Sequence, residues 1–272
     1  MSETSSSIGV ITPVMLNPFV EKLMHALQEV CEAEGCTAVA AASFSDPQKE
    51  AELIAHFRDM GTDGIVIVSP CQPREVLYDQ SQGGPMLLVS PEPPVGKADT
   101  MQLNEDRAAQ IVADHLVSRG WKKMVYVPRT LEVDSNWRTV KQEALERAAR
   151  DRRLQFRIAA ITDSAEHLVH CDAAMWKDTQ TGLVTHTGMT GVEMAQLLRS
   201  AGFELGTDIG LVVYDDAFVA ADSGLDVTTV DIDMRAAASL MLDTLRARRR
   251  GLIEGPGREI LSEPILMARD SS

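Results

Sequence analysis

IGVITPVMLNPF, residues 8–19, sets the reading of the whole chain. Ile8, Val10 and Ile11 form a short apolar run of the kind that becomes a buried strand. Asn17-Pro18 then starts a helix. Asn caps, and Pro fits the first helical position, where no N–H is needed. Strand, loop and helix in that order leave backbone donors free at the carboxyl edge of a sheet, where open α/β proteins bind ligands. The stretch therefore places a candidate small-molecule site near the start of the chain.

Outward from it, short apolar strands alternate with amphipathic helices. Val20, Leu23, Met24, Leu27, Val30 and Cys31 repeat at helical spacing, and Gly35 closes that helix. A strand is expected over 37–42. The next helix opens at Pro47, carries Leu53, Ile54 and Phe57 on its apolar side, and ends near Gly61. Residues 65–68 form a continuous apolar run, as in a strand covered on both faces. A short helix over 73–80, a strand over 85–90 and a Pro/Gly-rich loop over 91–100 follow. The helix expected over 106–119 turns Ala108, Ile111, Val112, His115 and Leu116 inward and closes at Gly120.

The pattern then restarts. It gives strands at 124–127, 157–161, 183–185 and 209–214, and helices at 136–150, 165–176 and 190–201. A long helix over 233–249 and a final strand over 259–267 end it. Two β/α series imply an α/β protein of two Rossmann-like lobes with parallel sheets, each covered by helices. The expected division is 8–119 plus 232–255 for the N-terminal lobe and 120–231 plus 256–268 for the C-terminal lobe, with a cleft between them. Residues 1–7 read as a flexible leader.

The 272 residues suffice for two sizeable cores, and 44% hydrophobic residues is ordinary for a globular chain. No apolar run approaches a membrane span, and MSETSSS lacks the basic and apolar regions of a secretory signal. A net charge of −14 disfavours gripping a phosphate backbone. The run Arg246, Arg248, Arg249 and Arg250 is the exception, and reads as a solvated helix end favoured by the macrodipole. Cys31, Cys36, Cys71 and Cys171 show no CxxC pair and read as reduced packing thiols. His167, His170 and Cys171 have no zinc spacing and no evident fourth ligand, so no metal or other cofactor is expected. No GxSxG, P-loop, HExxH or dinucleotide GxGxxG is present. Asp215-Asp216 would point to opposite faces of a strand, which is poor geometry for a two-carboxylate mechanism. The chain reads as a non-enzyme.

IGVITP…NPF (8–19), TDGIVIVSP (62–70), DHLVSRGWKKMVYV (114–127), LVVYDD (211–216) and VTTVDID (227–233) stand in the order and spacing of the lactose/galactose repressor (LacI/GalR) family. The chain resembles the ligand-binding core of that family from about Ile8 to Met267. The resemblance implies the periplasmic-binding-protein type I architecture, with ligand held between the lobes. The basic helix-turn-helix headpiece that usually precedes such a core is not seen, so DNA would be reached only through a missing headpiece.

The same resemblance implies the site residues. Asn17 and Phe19 match the NPF segment beside the pocket, against a plain reading as helix cap and core aromatic. Val14 stands where many members place an acidic or polar residue. Arg138 falls where the family clamps ligand hydroxyls or carboxylate, a task suited to a guanidinium fork. Asp215 matches the first acid of G-[FY]-D-D, with Val213 in place of the glycine and Asp216 free to stabilise the following turn. Asn104 lies near the family's Asp-Asn segment, with Glu105 as competitor. Thr187-Gly188 replaces the usual Asn-Asp, so Thr187 keeps a hydrogen bond but loses the bidentate reach of an amide. His186 and Trp176 are neighbours with plain structural readings.

The implied function is the effector-binding and dimerisation core of a LacI-type transcriptional regulator. It is cytoplasmic and a homodimer, and it takes a small polar effector such as a sugar. The rivals are a solute-binding protein for sugar uptake, a headless sensor, and an enzyme for which no nucleophile–base pair is found.

Overall fold

Ile8, Val10 and Ile11 lie wholly inside β1 (Ser6–Thr12), the first strand of a parallel sheet. The computed structural model describes residues 6–15, 17–128, 136–159, 180–216 and 226–272, without the side chains of residues 136–138. It divides into two units, Met1–Gln102 with Asp233–Ser262, and Leu103–Ile232 with Glu263–Ser272.

In the first unit β1 is followed by α1 (Pro18–Ala33), β2 (Cys36–Ala42), α2 (Pro47–Asp59), β3 (Gly64–Val68), α3 (Arg74–Ser81), β4 (Met86–Val89) and β5 (Asp99–Leu103). The second unit holds α4 (Glu105–Ser118), β6 (Lys123–Val127), α5 (Asn136–Asp151), β7 (Gln155–Ile158), β8 (Thr181–Thr185), α6 (Gly188–Ser200), β9 (Gly210–Tyr214) and β10 (Thr228–Ile232). The chain returns to the first unit with α7 (Met234–Arg249) and β11 (Glu259–Ser262), and to the second with β12 (Pro264–Met267).

The two sheets repeat one topology. The first runs β2-β1-β3-β4-β5-β11 and the second β7-β6-β8-β9-β10-β12. The inner pairings are parallel, and β12 runs antiparallel on β10. Strand order therefore reverses beside β1 in one unit and beside β6 in the other. A crevice opens at the carboxyl ends of such a reversal.

Burial follows from the strands. Every residue of β3, β4, β8 and β9 is buried. In the second sheet Val125, Val127, Leu183, Leu211 and Val213 face Met194, Ala195 and Leu198 of α6. The alternate residues Met124, Tyr126, Val184, Val212 and Tyr214 face α4 and α5. Val213, which stands in place of the family's glycine, is matched by Gly191 across the interface. A Cβ on Gly191 would meet its methyls at 2.4 Å.

Several expectations need correction. The helix expected in the N-terminal lobe is α4, and it belongs to the second unit. Its small face, Ala108, Ala109, Val112 and Ala113, closes against Ala144, Leu145 and Ala148 of α5. The single strand expected over 259–267 is two strands, one per sheet, with the break at Glu263-Pro264. The 91–100 loop ends in an unforeseen strand, β5, and 228–232 is another, β10. Ser6 and Ser7, assigned to a flexible leader, pair with Cys36 and Thr37. The helix expected over 165–176 lies outside the described residues.

The arginine run is only partly a solvated helix end: Arg250 is exposed, whereas Arg246, Arg248 and Arg249 pair with carboxylates. Arg248 reaches Asp99 with two hydrogen bonds, Nε at 2.6 Å and Nη2 at 2.7 Å, and the Asp99 side chain is fully buried. Arg246 pairs with Glu34 at 3.0 Å and Arg249 with Asp63 at 3.0 Å. The helix end therefore spends its cations on carboxylates at the amino edge of the first sheet. Asp99 also accepts from Arg258 N–H at 2.7 Å, which brings the return loop onto β5. Gly257 is required there because a Cβ would meet the Ala98 carbonyl oxygen at 1.9 Å.

A buried ion pair adds little net stability, but removing one partner strands the other charge. Asp99→Ala should therefore lower unfolding free energy by about 3–5 kcal/mol in urea denaturation. Lys49→Ala, which breaks an exposed pair with Glu52 at 3.2 Å, should change it by less than about 1 kcal/mol. Equal small losses in both variants would refute the assignment.

Candidate functional site

Among the described residues, four of the six non-glycine residues at positive φ follow the carboxyl ends of strands, while Arg153 and Gln180 precede β7 and β8. Phe44 (φ 57) and Ser45 (φ 57) follow β2, Ser69 (φ 48) follows β3, and Asp215 (φ 73) follows β9. Such conformations cost free energy and collect at binding and switch regions. Both carboxyl edges also hold buried polar groups.

In the first unit, Glu50 of α2 is 1% exposed and serves the loop after β3. It accepts from Cys71 N–H at 3.1 Å, from Gln72 N–H at 3.3 Å, and from the Cys71 thiol at 3.2 Å. Burial and that thiol–carboxylate bond push the Cys71 thiol up to about 11, so it remains a protonated donor. The Gln72 side chain is buried and its Nε2 has no protein partner. Val14, after β1, is exposed. Asn17 is spent on its helix, accepting from Phe19 N–H at 2.9 Å and Val20 N–H at 3.4 Å, with Pro18 at the first position. Phe19 is half-buried beside it. The plain reading of Asn17 as a cap is realised.

The second unit carries the denser constellation. Tyr126 of β6 and His186, just after β8, stand on either side of the strand-order reversal. The Tyr126 hydroxyl and His186 Nδ1 are 2.6 Å apart, and both residues are buried. Lys141 of α5 lies 3.6 Å from the centre of the Tyr214 ring and 3.5 Å from Glu105 Oε1. Burial lowers the Lys141 ammonium below its ordinary value, opposed by Glu105, Asp215 and Asp231. Burial raises Glu105, opposed by Lys141, and burial also raises the Tyr214 phenol, with Glu105 adding to the rise. Glu105 Oε2 and the Tyr214 hydroxyl are buried without a protein partner.

Around this core the predicted residues take distinct places. Asp215 closes β9, and its N–H donates to the Val230 carbonyl at 3.0 Å. Asp216 is structural. It accepts from Thr229 Oγ1 at 2.8 Å and from Arg269 at 2.9 Å. Thr187 caps α6, accepting from Thr190 N–H at 3.3 Å. Asn104 caps α4, accepting from Arg107 N–H at 3.1 Å and donating to Glu263 at 3.1 Å. Its competitor Glu105 is the one placed inside the cluster. The Arg138 side chain, His167, His170, Cys171 and Trp176 lie outside the described residues. No group of three or more His, Cys, Asp or Glu among the described residues could hold a metal.

Sequence reasoning missed Glu50, Gln72, Lys141, Tyr126 and Tyr214. A lysine amid α5's apolar face positions, and a carboxylate at position four of an amphipathic helix, were the available signals. The arrangement suits binding by hydrogen bonds to a small polar molecule.

A family model described as a periplasmic binding protein-like domain matches residues 113–272. The HTH-type transcriptional regulator PtxS of Pseudomonas putida is 21% identical over 265 residues, covering 97% of this chain and 78% of its own. The HTH-type transcriptional regulator MalR of Streptomyces coelicolor is 24% identical over 289 residues, with 97% and 80% covered. The structure is similar to a periplasmic binding protein/LacI transcriptional regulator from Alkaliphilus metalliredigens, crystallised with D-xylulofuranose. The TM-score is 0.77 at 16% identity, covering 98% of this chain and 99% of that one. The type I periplasmic-binding-protein fold is thereby shown.

The buried carboxyl gives a pH signature. A carboxyl raised on folding holds its proton more tightly in the native state, so native stability falls as pH climbs above 4.5 toward the folded value. Glu105→Gln removes that contribution. The variant should gain stability relative to the wild type as pH rises above 4.5, read by urea denaturation. A pH-independent difference would show that Glu105 titrates as a solvated side chain.

Proposed function

The chain belongs to the periplasmic binding protein-like domain family, and we propose that it is the effector-binding and dimerisation core of a LacI-type transcriptional regulator. Its effector is a small polar molecule, a sugar or a related metabolite. The observation that carries this reading is the buried polar cluster at the carboxyl edge of the second sheet, beside its strand-order reversal. Relatives named as transcriptional regulators align over nearly the whole chain, and their names describe no enzyme.

The mechanism is linkage. Effector contacts with Asp215, Arg138 and the Glu105–Lys141–Tyr214 cluster favour one conformation of the core over another. The shift can be no larger than the difference in affinity for the two. A helix-turn-helix headpiece reads that shift as a change in DNA affinity. The acidic balance of −14 suits a core that leaves DNA contact to the headpiece. Residues Val14, Asn17 and Phe19 of the first unit, and Asn104 and Thr187 of the second, are the remaining proposed contacts. The protein works in the cytoplasm as a symmetric homodimer. No described helix is long and apolar enough to cross a membrane.

A thermal-shift screen of sugars, polyols, sugar acids, amino sugars and nucleosides tests this directly. A ligand at a hundredfold excess over its dissociation constant should add roughly 2.7 kcal/mol of stability. Arg138→Ala and Asp215→Asn should each abolish the shift given by the compound found, without unfolding the chain. Asn is chosen for position 215 because it tolerates φ 73 and removes only the charge. Normal binding by both variants would remove the site, and no stabilising compound would remove the sensor.

A further inference from the structure

A groove in the first unit takes no part in the effector reading. It lies between α3, the turn over 94–97 and the turn over 255–257, and it encloses about 480 Å³. Tyr78, Gln82, Pro94, Lys97 and Pro256 line it together with three glycines, and every one of these residues belongs to the first unit. The volume suits a small molecule.

The walls are anchored by bonds that occupy their acceptors. Arg74 donates to the Pro93 and Pro94 carbonyls, each at 3.0 Å. Arg248, locked on buried Asp99, donates to the Gly255 carbonyl at 3.2 Å and to the Pro256 carbonyl at 3.0 Å. The Gly96 carbonyl accepts from Gly257 N–H at 2.8 Å. The Tyr78 carbonyl accepts from the Ser81 hydroxyl at 2.6 Å and from Gln82 Nε2 at 3.3 Å. Lys97 N–H is fixed on Ser81 Oγ at 2.9 Å. Both turns are thereby held in place, and their carbonyls already accept from the protein.

What the groove still offers is ring surface and one cation. Tyr78 is 53% exposed, and Pro94 and Pro256 add two further ring faces. Lys97 is exposed and has no ion-pair partner among the described residues. It is the only ionised side chain lining this groove, because Glu75, Asp79 and Glu254 line the adjoining depressions. A sugar needs several polar side chains to pair its hydroxyls, and here Gln82 stands alone with its Nε2 already engaged. A flat apolar body with one negative end needs only a ring face and an ammonium.

We propose that this groove is a separate small-molecule site for an aromatic carboxylic acid. The ring lies against Tyr78 and the prolines, and the carboxylate meets the Lys97 ammonium. Tyr78 supplies affinity for the ring, and Lys97 sets the charge that is accepted.

Ligand-observed NMR on the full chain, with benzoate, benzamide and benzylamine as matched probes, tests this. Benzoate should bind about threefold to fivefold more tightly than benzamide, the range of an exposed ion pair, and benzylamine should bind more weakly still. The larger face of 2-naphthoate should bind more tightly than benzoate. Lys97→Met should erase the preference for benzoate over benzamide, and Tyr78→Ala should weaken both acids about fivefold or more. Both side chains are exposed, so neither change removes core packing. A sugar or related compound found in the effector screen should not displace 2-naphthoate. Equal binding of the three matched probes, a preference that survives Lys97→Met, displacement by the effector, or no acid binding at millimolar concentration would each overturn the site. The effector reading stands apart from all of these results, because the sugar screen tests it separately.

Discussion

Each sheet is buried on both faces, and that constraint governs where anything polar can go. The central strands β3, β4, β8 and β9 expose no residue to solvent. Apolar side chains therefore fill both layers, and polar chemistry is pushed to the strand ends. The amino edge of the first sheet is closed by ion pairs, Asp99 with Arg248 and Asp63 with Arg249. The carboxyl edges keep their buried polar atoms incompletely paired, with Gln72 in one unit and Glu105 and Tyr214 in the other. Within each unit, parallel pairing sends the inner strand ends to one side, so in the second unit Glu105 and Tyr214 meet at one edge although they lie far apart in sequence.

The amino and carboxyl edges use charge differently. At the amino edge, carboxylate and guanidinium meet in two-pronged contacts that hold α7 and β11 against the sheet. Such contacts specify one arrangement more than they stabilise it. At the carboxyl edge of the second unit, Lys141 is shared between a carboxylate and an aromatic face. Burial works against both ions of that pair. A group that offsets some of this cost contributes directly to binding, and a site held in such tension can respond to occupancy. The positive φ of Asp215 belongs to the same edge and the same tension.

Much of the fold was legible in the sequence. The apolar runs at 8–11 and 65–68, the Asn17-Pro18 start and the Gly35 and Gly120 stops all lie where local physics puts them. Local rules were weaker for short strands whose burial depends on partners. β5 and β10 carry Asp, Thr and Gln, so neither reads as a strand until a parallel neighbour supplies its hydrogen bonds. The arginines at 246–249 showed the same limit, because the carboxylates that claim them lie far away at Glu34, Asp63 and Asp99.

By itself the sequence determined the alternation of strands and helices, the doubled α/β organisation, the acidic balance and the capped helix starts, because periodicity, charge and cap chemistry act within a few residues. Tertiary structure alone decided that α4 belongs with α5, that residues 259–267 serve two sheets, and that Glu105, Lys141 and Tyr214 meet. Those outcomes depend on which distant surfaces fit and which buried charges find each other. No local pattern encodes a contact made between a helix start, a helix interior and a strand end.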